Sequence, residues 1–246
     1  MITESALDSN VHIAGIIAAG GQGSRLGVAG GKQLLAIAHK PVVAWSIDAL
    51  ARVVAIRNIV VVCDPDRLEE YAQVITDSVS TTKALFFVAG GSTREESVMA
   101  GLSALDDSVD VVAIHDGARP LLEAKHVHLA FEKLLSEPEL DGVVVGVPAV
   151  DTLKQVKDGQ IIGTPDRGLY WQAQTPQIFW RKKIVSAYEE AGKTGYQGTD
   201  DASYCEQAGG RVSMSVGSRN NIKITSSEDL SFAELMLEAQ RKGSDI

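Results

Sequence analysis

The sequence predicts a doubly wound α/β fold with a Rossmann-like, mainly parallel sheet. Short apolar, β-branched runs alternate with amphipathic helical patterns up to about residue 150, an alternation typical of parallel strands joined by crossover helices. A glycine-rich stretch directly follows the first apolar run, at the strand end where ligands bind in such sheets. The length fits one large domain or two small ones, and we interpret 1–246 as a single domain.

Each element is predicted from its periodicity and its boundary residues. Asp64 and the Ser92–Glu95 pattern are predicted helix caps, and Pro41 suits a first helical position. The predicted strands are 12–18, 58–63, 84–88, 111–115, 142–147 and 211–216. The predicted helices are 41–53, 65–76, 93–105, 124–135, 181–191, 200–207 with Thr199 as its cap, and a last helix that begins near Ser226.

Composition excludes several classes of protein. A net charge of −9 argues against a general nucleic-acid surface, which needs a basic face. No apolar run approaches the roughly 18 residues of a membrane span, and no signal peptide is visible, so we expect a cytoplasmic protein without a membrane partner. Cys63 and Cys205 lack the spacing of a zinc site or a disulfide framework, and Cys63 is predicted to be a buried thiol.

The alternation stops between residues 151 and 179. This stretch contains a hairpin-like turn at 157–159, two adjacent aromatic residues and two Thr-Pro pairs. Compact domains rarely contain so long an irregular segment unless it serves as a lid, an arm or a subunit contact.

The stretch 16–33, IIAAGGQGSRLGVAGGKQ, carries two cations, Arg25 and Lys32, and no acid. Glycines let backbone N–H groups approach a ligand closely, and two positive charges suit a polyphosphate. Leu26 replaces the third glycine of a dinucleotide fingerprint, and Leu26 and Gln33 both break the Walker A pattern. The loop instead resembles that of nucleotidyltransferases that release pyrophosphate. A surface glycine loop without a ligand is the alternative.

A second loop, 90–97, reads GGSTREES between a strand and a helix. Its paired glycines would let a base or ribose lie against the backbone, with Ser97 as a hydrogen-bonding partner. The alternative is a capped turn in which Arg94 is a solvated helix charge.

A third loop, 115–120, reads HDGARP and places Asp116 at the carboxyl end of a strand buried on both faces. Magnesium prefers one or two carboxylates together with substrate phosphates, so Asp116 is predicted to hold this ion. His115 is predicted to be a hydrogen-bonded core residue.

Six motifs follow one another along the chain: A-G-G-x-G-x-R-x6-K-Q at 19–33, G-G-x-x-R-x-x-S at 90–97, HDGARP at 115–120, A-V-D-T-x-K at 149–154, D-R-x7-T-P-Q at 166–177 and N-I-K-I-T at 221–225. Together they resemble the 2-C-methyl-D-erythritol 4-phosphate cytidylyltransferases, which join CTP to methylerythritol phosphate in the non-mevalonate isoprenoid pathway. The resemblance extends from about residue 13 to about residue 237.

This resemblance implies a role for each candidate residue. Arg25 and Lys32 would stabilise charge on the α-phosphate, and Asp116 would hold Mg²⁺ on the triphosphate. Arg167 and Lys223 would grip the methylerythritol phosphate and aim its oxygen for in-line attack. The CTP contacts would be Ala19, Gly20, Gly21, Gly23, Gly91, Ser92, Ser97 and Asp116, and further contacts to the second substrate would be Arg119, Thr152, Thr175 and Thr199.

In the family, the irregular segment forms a protruding β-arm that clasps a second subunit. The resemblance therefore implies a homodimer built through residues 151–178, which we call the arm, with Arg167 completing the neighbouring site.

Three alternatives differ in substrate or in class. A ribitol-5-phosphate cytidylyltransferase would share the fold and the CTP loops, and would differ around 117–120 and in the arm. A dinucleotide-dependent oxidoreductase is disfavoured by the failed fingerprint. A catalytically dead nucleotide sensor would be expected to lack Arg25, Lys32 or Asp116, and all three are present.

Overall fold

The computed structural model describes residues 11–21 and 32–243. The strands are β1 (Ile13–Ala18), β2 (Ala36–Ile37), β3 (Lys40–Pro41), β4 (Ile56–Cys63), β5 (Ala84–Ala89), β6 (Val111–Asp116), β7 (Gly142–Pro148), β8 (Gln155–Lys157), β9 (Gln160–Gly163), β10 (Trp171–Trp180) and β11 (Val212–Val216). The α-helices are α1 (Val42–Ala51), α2 (Leu68–Ser78), α3 (Arg94–Ser103), α4 (Ala124–Ser136), α5 (Arg181–Thr194), α6 (Asp201–Gln207) and α7 (Ser227–Gly243). Short 3-10 helices lie at Lys32–Leu34, Pro65–Arg67 and Arg167–Leu169.

Seven strands form the central sheet, in the order β11-β7-β10-β6-β1-β4-β5. Strand β10 runs antiparallel to both neighbours, and the other pairs are parallel. The predicted mainly parallel sheet is confirmed. Its central strands are rich in valine and isoleucine because both of their faces are covered by helices.

Helices pack on both faces of the sheet. Helices α1, α2 and α4 cover one face, and α3, α5 and α6 cover the other. The side chains of β1 alternate between the two faces as a result. Ile13 and Ile17 pack in the core layer below α1, α2 and α4, which we call the first layer, and Ala14 and Ile16 pack in the second layer below the other three helices. At Gly15 a Cβ atom would lie 2.7 Å from Leu50 Cδ2, so the strand can approach α1 closely at this point. The doubly wound arrangement is therefore confirmed.

Strand β10 was not among the predicted strands. It lies in the segment interpreted as irregular, and its pairing with β7 is disturbed between Ala173 and Gln177. The sequence hides it because Pro176 cannot donate to a ladder, and because Gln174 and Gln177 are polar although both are buried. These amides are satisfied by side-chain hydrogen bonds rather than by solvent.

The predicted turn at 157–159 is confirmed as the connection of a hairpin between β8 and β9. Asp158 and Gly159 have φ values of 51° and 78°. Both lie in the left-handed region, as a two-residue type I′ turn requires, and Asp-Gly suits these positions. The hairpin is exposed and separate from the central sheet.

Two predicted helix caps are displaced by one residue. Thr93, not Ser92, caps α3, because its hydroxyl accepts from the N–H of Glu96 at 3.1 Å. Asp200, not Thr199, caps α6 and forms a capping box there. In each pair both residues are good caps, so local preference alone does not choose between them.

Other boundaries agree with the predictions within a few residues. The carboxylate of Asp64 caps the short helix Pro65–Arg67 ahead of α2, as predicted. Pro41 immediately precedes α1. Cys63 and Cys205 are buried free thiols, and burial raises the pKa of Cys63 to about 12. Within the described ranges, no helix has an apolar stretch long enough to cross a bilayer.

Candidate active site

The loops that follow β1, β4, β5 and β6 enclose a cleft of about 690 Å³ at the carboxyl edge of the sheet. This position agrees with the general rule for open α/β sheets. The three predicted loops meet here with residues from the loop after β4 and from the segment before α7. The lining residues are Ala18, Gly20, Gly21, Gln33, 64–66, 90–94, Ser97, Asp116, Ala118, Lys223 and Thr225.

The first glycine loop begins at the wall of this cleft. The N–H of Ala19 donates to Val62 O at 2.8 Å and holds the loop against β4. Gly20 and Gly21 follow and line the cleft. The predicted site residues Gly23 and Arg25 lie outside the described residues, and so does the side chain of Lys32.

The second loop is braced by Ser97. Its hydroxyl accepts from Gly91 N–H at 3.2 Å and donates to Thr93 O at 2.9 Å. Ser92 donates to Glu96 Oε2 through its N–H at 2.6 Å and through its hydroxyl at 2.7 Å. A Cβ atom on Gly91 would lie 2.2 Å from Glu96 Cβ, so the loop requires glycine at this position.

Asp116 lies at the centre of a cluster of charged side chains in the cleft. It ends β6 and is 7% exposed. Lys223 Nζ lies 2.9 Å and Arg119 Nε 3.4 Å from its Oδ2, and Arg94 Nε lies 3.8 Å from its Oδ1. Burial raises the pKa of Asp116, but the charges of Lys223, Arg94 and Arg119 outweigh burial and hold that pKa well below its usual range. Asp116 is therefore a permanent anion.

Thr175 holds both the backbone of Asp116 and the side chain of His115 in place. Its hydroxyl oxygen accepts from Asp116 N–H at 3.0 Å and lies 2.9 Å from His115 Nδ1. The other ring nitrogen of His115 lies 3.2 Å from Arg119 O. His115 is fully buried, and burial lowers its pKa to about 4. The prediction that His115 is a hydrogen-bonded core residue is confirmed.

Arg94 is not the solvated helix charge that the alternative reading assumed. Its Nη1 and Nη2 donate to the two carboxylate oxygens of Asp201 at 2.7 and 2.6 Å. Sequence reasoning missed Asp201, which lies 107 positions away in the chain. The only local signal is that two adjacent acids, Asp200 and Asp201, stand at the start of α6, although a helix cap needs only one of them.

Lys223 lies in the segment that precedes α7 and has no regular secondary structure. Ile224 N–H donates to Ala118 O at 2.9 Å, and Arg119 Nη1 donates to Asn221 O at 2.8 Å. These bonds place the segment 221–225 against the loop 117–120.

Lys223 lines the cleft, whereas the other five predicted acceptor contacts do not: Arg119, Thr152, Arg167, Thr175 and Thr199. Thr152 and Arg167 lie on the exposed arm, where Arg167 Nη1 donates to Val150 O at 2.6 Å. Thr199 is exposed beside the start of α6. Thr175, by contrast, is buried behind Asp116 with its hydroxyl engaged as described above. The substrate roles of these residues stay predictions.

The donors at Asp116 suit a magnesium ion. Its Oδ1 is a hard anionic oxygen that lies 3.8 Å from Arg94 Nε and takes no hydrogen bond from any described residue, and Asp116 itself lines the cleft. Within the described part of the chain, no group of three or more His, Cys, Asp or Glu side chains is placed to hold a metal. Magnesium often binds through one or two carboxylates and takes its other ligands from phosphates and water.

The fold and the cleft define the class of this protein, which is a nucleotidyltransferase. A family model described as 2-C-methyl-D-erythritol 4-phosphate cytidylyltransferase matches residues 13–239. The chain belongs to this family.

Individual relatives agree with that assignment. The protein of this name from Clostridioides difficile is 39% identical over 227 residues, which cover 92% of this chain and 94% of the relative. The one from Syntrophotalea carbinolica is 41% identical over 224 residues, covering 91% and 95%. The crystal structure of 4-diphosphocytidyl-2C-methyl-D-erythritol synthase from Anaerococcus prevotii matches with a TM-score of 0.80 and 29% identity, over 93% of this chain and 99% of that one. The ribitol-phosphate alternative is not favoured.

Proposed function

We propose that the protein transfers the cytidylyl group of CTP to 2-C-methyl-D-erythritol 4-phosphate and releases pyrophosphate. The observation that carries this proposal is the cluster of Arg94, Arg119 and Lys223 around Asp116, at the edge of a cleft lined by glycine loops. Fixed cations at this place suit a reaction between two phosphates, which repel each other until their charge is balanced.

The nucleotide lies in the glycine-lined part of the cleft in this proposal. The backbone at 19–21, together with Gly91, Ser92 and Ser97, contacts the cytosine and the ribose. The backbone N–H groups of Gly20 and Gly21, which line the cleft, and the dipole at the start of α3 favour a ligand with hydrogen-bond acceptors and negative charge.

Asp116 holds the magnesium ion in this proposal. When bound, this ion neutralises charge on the triphosphate and orients its α-phosphate. Asp116 stays ionised at every relevant pH because Lys223, Arg94 and Arg119 hold its pKa low.

The reaction needs no protein nucleophile. A phosphate oxygen of the acceptor attacks the α-phosphorus of CTP, the bond to the bridging oxygen of the β-phosphate breaks, and pyrophosphate leaves with that electron pair. Arg25 and Lys32 balance the charge that develops on the α-phosphate, while Lys223 and Arg167 hold the acceptor in line. Arg119, Thr152, Thr175 and Thr199 complete the acceptor site in this proposal.

We place the acceptor site between two subunits of a cytoplasmic homodimer. The arm presents apolar side chains to solvent, which favours a further contact surface: Val156, Ile161, Ile162, Leu169, Tyr170 and Trp171. Arg167 is part of this arm and lies outside the cleft of its own chain.

The direct test is pyrophosphate release with CTP and Mg²⁺, offering methylerythritol phosphate and ribitol 5-phosphate separately. We expect turnover with the first acceptor alone, and loss of that turnover in Asp116→Asn. Exclusive turnover with ribitol 5-phosphate would overturn the assigned acceptor, and release with neither would overturn the assigned reaction.

A further inference from the structure

The Arg94 guanidinium lies between two carboxylates and is hydrogen-bonded to only one of them. Its two terminal nitrogens donate to Asp201, while its Nε faces Asp116 Oδ1 at 3.8 Å, which is too long for a hydrogen bond. The Asp201 side chain is completely buried, whereas that of Arg94 is 33% exposed at the cleft wall. The two terminal nitrogens of the arginine are thus engaged by Asp201 rather than by the carboxylate predicted to hold the metal.

The position of Asp201 is fixed independently of Arg94. Tyr188 donates its hydroxyl to Asp201 Oδ1 at 2.6 Å. The start of α6 is also tied to β10, because Gln177 donates to Asp200 Oδ2 at 2.7 Å and accepts from Ala202 N–H at 2.8 Å. Asp201 is therefore a rigid anchor.

This anchor matters because an arginine fork readily binds both oxygens of a carboxylate. Lys223 and Arg119 approach only Oδ2 of Asp116. If Arg94 turned its fork from Asp201 to Asp116, it would cover Oδ1 as well and compete directly with a divalent cation.

We propose that Asp201 is a positioning residue, which holds the Arg94 fork so that Oδ1 of Asp116 stays available to a divalent cation. Arg94 then contributes its positive charge to the cleft without closing on the carboxylate. This inference rests on the proposed metal-binding role of Asp116.

Metal-dependent nucleotide binding tests this arrangement without any turnover. The dissociation constant of CTP is measured by calorimetry on the full chain, without acceptor, in saturating Mg²⁺ and again in EDTA. The dissociation constant in EDTA divided by that in Mg²⁺ is called the metal gain. In Asp201→Asn we expect the metal gain to fall by about tenfold, a size typical of losing the partner of a metal ligand. The double variant Asp201→Asn/Arg94→Gln has no fork to compete, so we expect it to recover most of the gain.

Two controls separate the possible failures. Tyr204→Phe removes a hydroxyl that donates to Glu95 rather than to Asp201, and should keep the wild-type gain. Asp116→Asn should abolish the gain; if it does not, the metal assignment falls and the positioning role falls with it.

If Asp116→Asn abolishes the gain but Asp201→Asn keeps it, the positioning role alone is overturned. A purely structural Asp201 would weaken binding equally with and without Mg²⁺. That result, or a double variant as impaired as Asp201→Asn, would also contradict the proposal. Circular dichroism at the assay temperature confirms that each variant is folded.

Discussion

Arg167 lies on the arm, where its guanidinium is exposed and donates to a backbone carbonyl. We expect Arg167→Ala to raise the KM for methylerythritol phosphate by about tenfold to a hundredfold, the range for losing one charged hydrogen bond. The KM for CTP should change little, because Arg167 does not line the cleft. Steady-state kinetics with each substrate varied in turn measures both constants.

Lys157→Ala is the matched control for Arg167, since it removes another exposed cation from the same arm. It should leave both constants near the wild-type values. A selective rise in the KM for CTP in Arg167→Ala would contradict the assigned role.

Cys63 makes the free energy of unfolding depend on pH in the alkaline range. Its thiol is buried in the first layer, and its folded-state pKa of about 12 lies above the reference value of 9.0. The folded state therefore favours the neutral thiol, and this stabilisation is complete below pH 9 and is lost as the pH rises towards 12.

We expect Cys63→Ala to be less sensitive to alkaline pH than the wild type. Between pH 8 and pH 10.5 the wild type should lose about 2 kcal/mol more unfolding free energy than the variant. Urea unfolding with a reductant at both pH values measures this difference. Equal losses in the two proteins would show that Cys63 does not titrate as described.

At single positions, sequence alone predicted what depends on local chemistry. Asp116 was identifiable because a buried strand ends on a carboxylate, and His115 because it precedes that end within the strand. The Arg94–Asp201 pair was not, because it forms only when α3 and α6 pack on the same face of the sheet. Long-range ion pairs leave no periodic signal in a sequence.

At the scale of loops and elements, the loop before α3 has little room for a side chain at Gly91. We expect Gly91→Ala to raise the KM for CTP, because its Cβ would overlap Glu96 Cβ and force the loop to shift. The effect should be about tenfold or more, since small displacements in a binding loop are costly. Thermal unfolding and CTP titration together distinguish a shifted loop from an unfolded protein.

Gly192→Ala is the matched control for this loop variant. Gly192 lies within α5, and nothing lies within 4 Å of a Cβ placed there. Alanine should stabilise this helix by about 0.5–1 kcal/mol and leave CTP binding unchanged. Unchanged CTP affinity in Gly91→Ala would remove this loop from the proposed nucleotide site.

Element prediction succeeded where hydrophobic periodicity was strong and failed at β10. The parallel strands are continuous apolar runs, which burial on both faces requires. Strand β10 carries buried Gln174 and Gln177, whose hydrogen bonds to residues 218 and 200 become evident only in the folded chain. A buried polar strand interrupted by proline therefore reads as a loop.

On the scale of the whole molecule, the arm determines the proposed assembly. Leu169 is 81% exposed. It belongs to the exposed apolar surface of the arm, and such a surface favours contact with a second chain. We expect Leu169→Glu to dissociate the proposed dimer and to reduce turnover together with it, because the proposed acceptor site would lose the partner's Arg167. Sedimentation velocity and kinetics at matched protein concentrations measure both effects.

Leu235→Glu provides the control for this surface change. Leu235 is 64% exposed on α7, which is not part of the arm, so the same substitution should leave assembly and turnover intact. A Leu169→Glu variant that is monomeric and fully active would contradict the shared acceptor site.

In the proposed reaction, a phosphate oxygen of methylerythritol phosphate attacks the α-phosphorus of CTP. The decisive experiment uses methylerythritol phosphate labelled with ¹⁸O in its phosphate, followed by mass spectrometry of both products. We expect all of the label to be retained in a cytidine diphosphate ester of methylerythritol and the pyrophosphate to be unlabelled. Label in the pyrophosphate, or a product without the cytidylyl group, would contradict the proposed reaction.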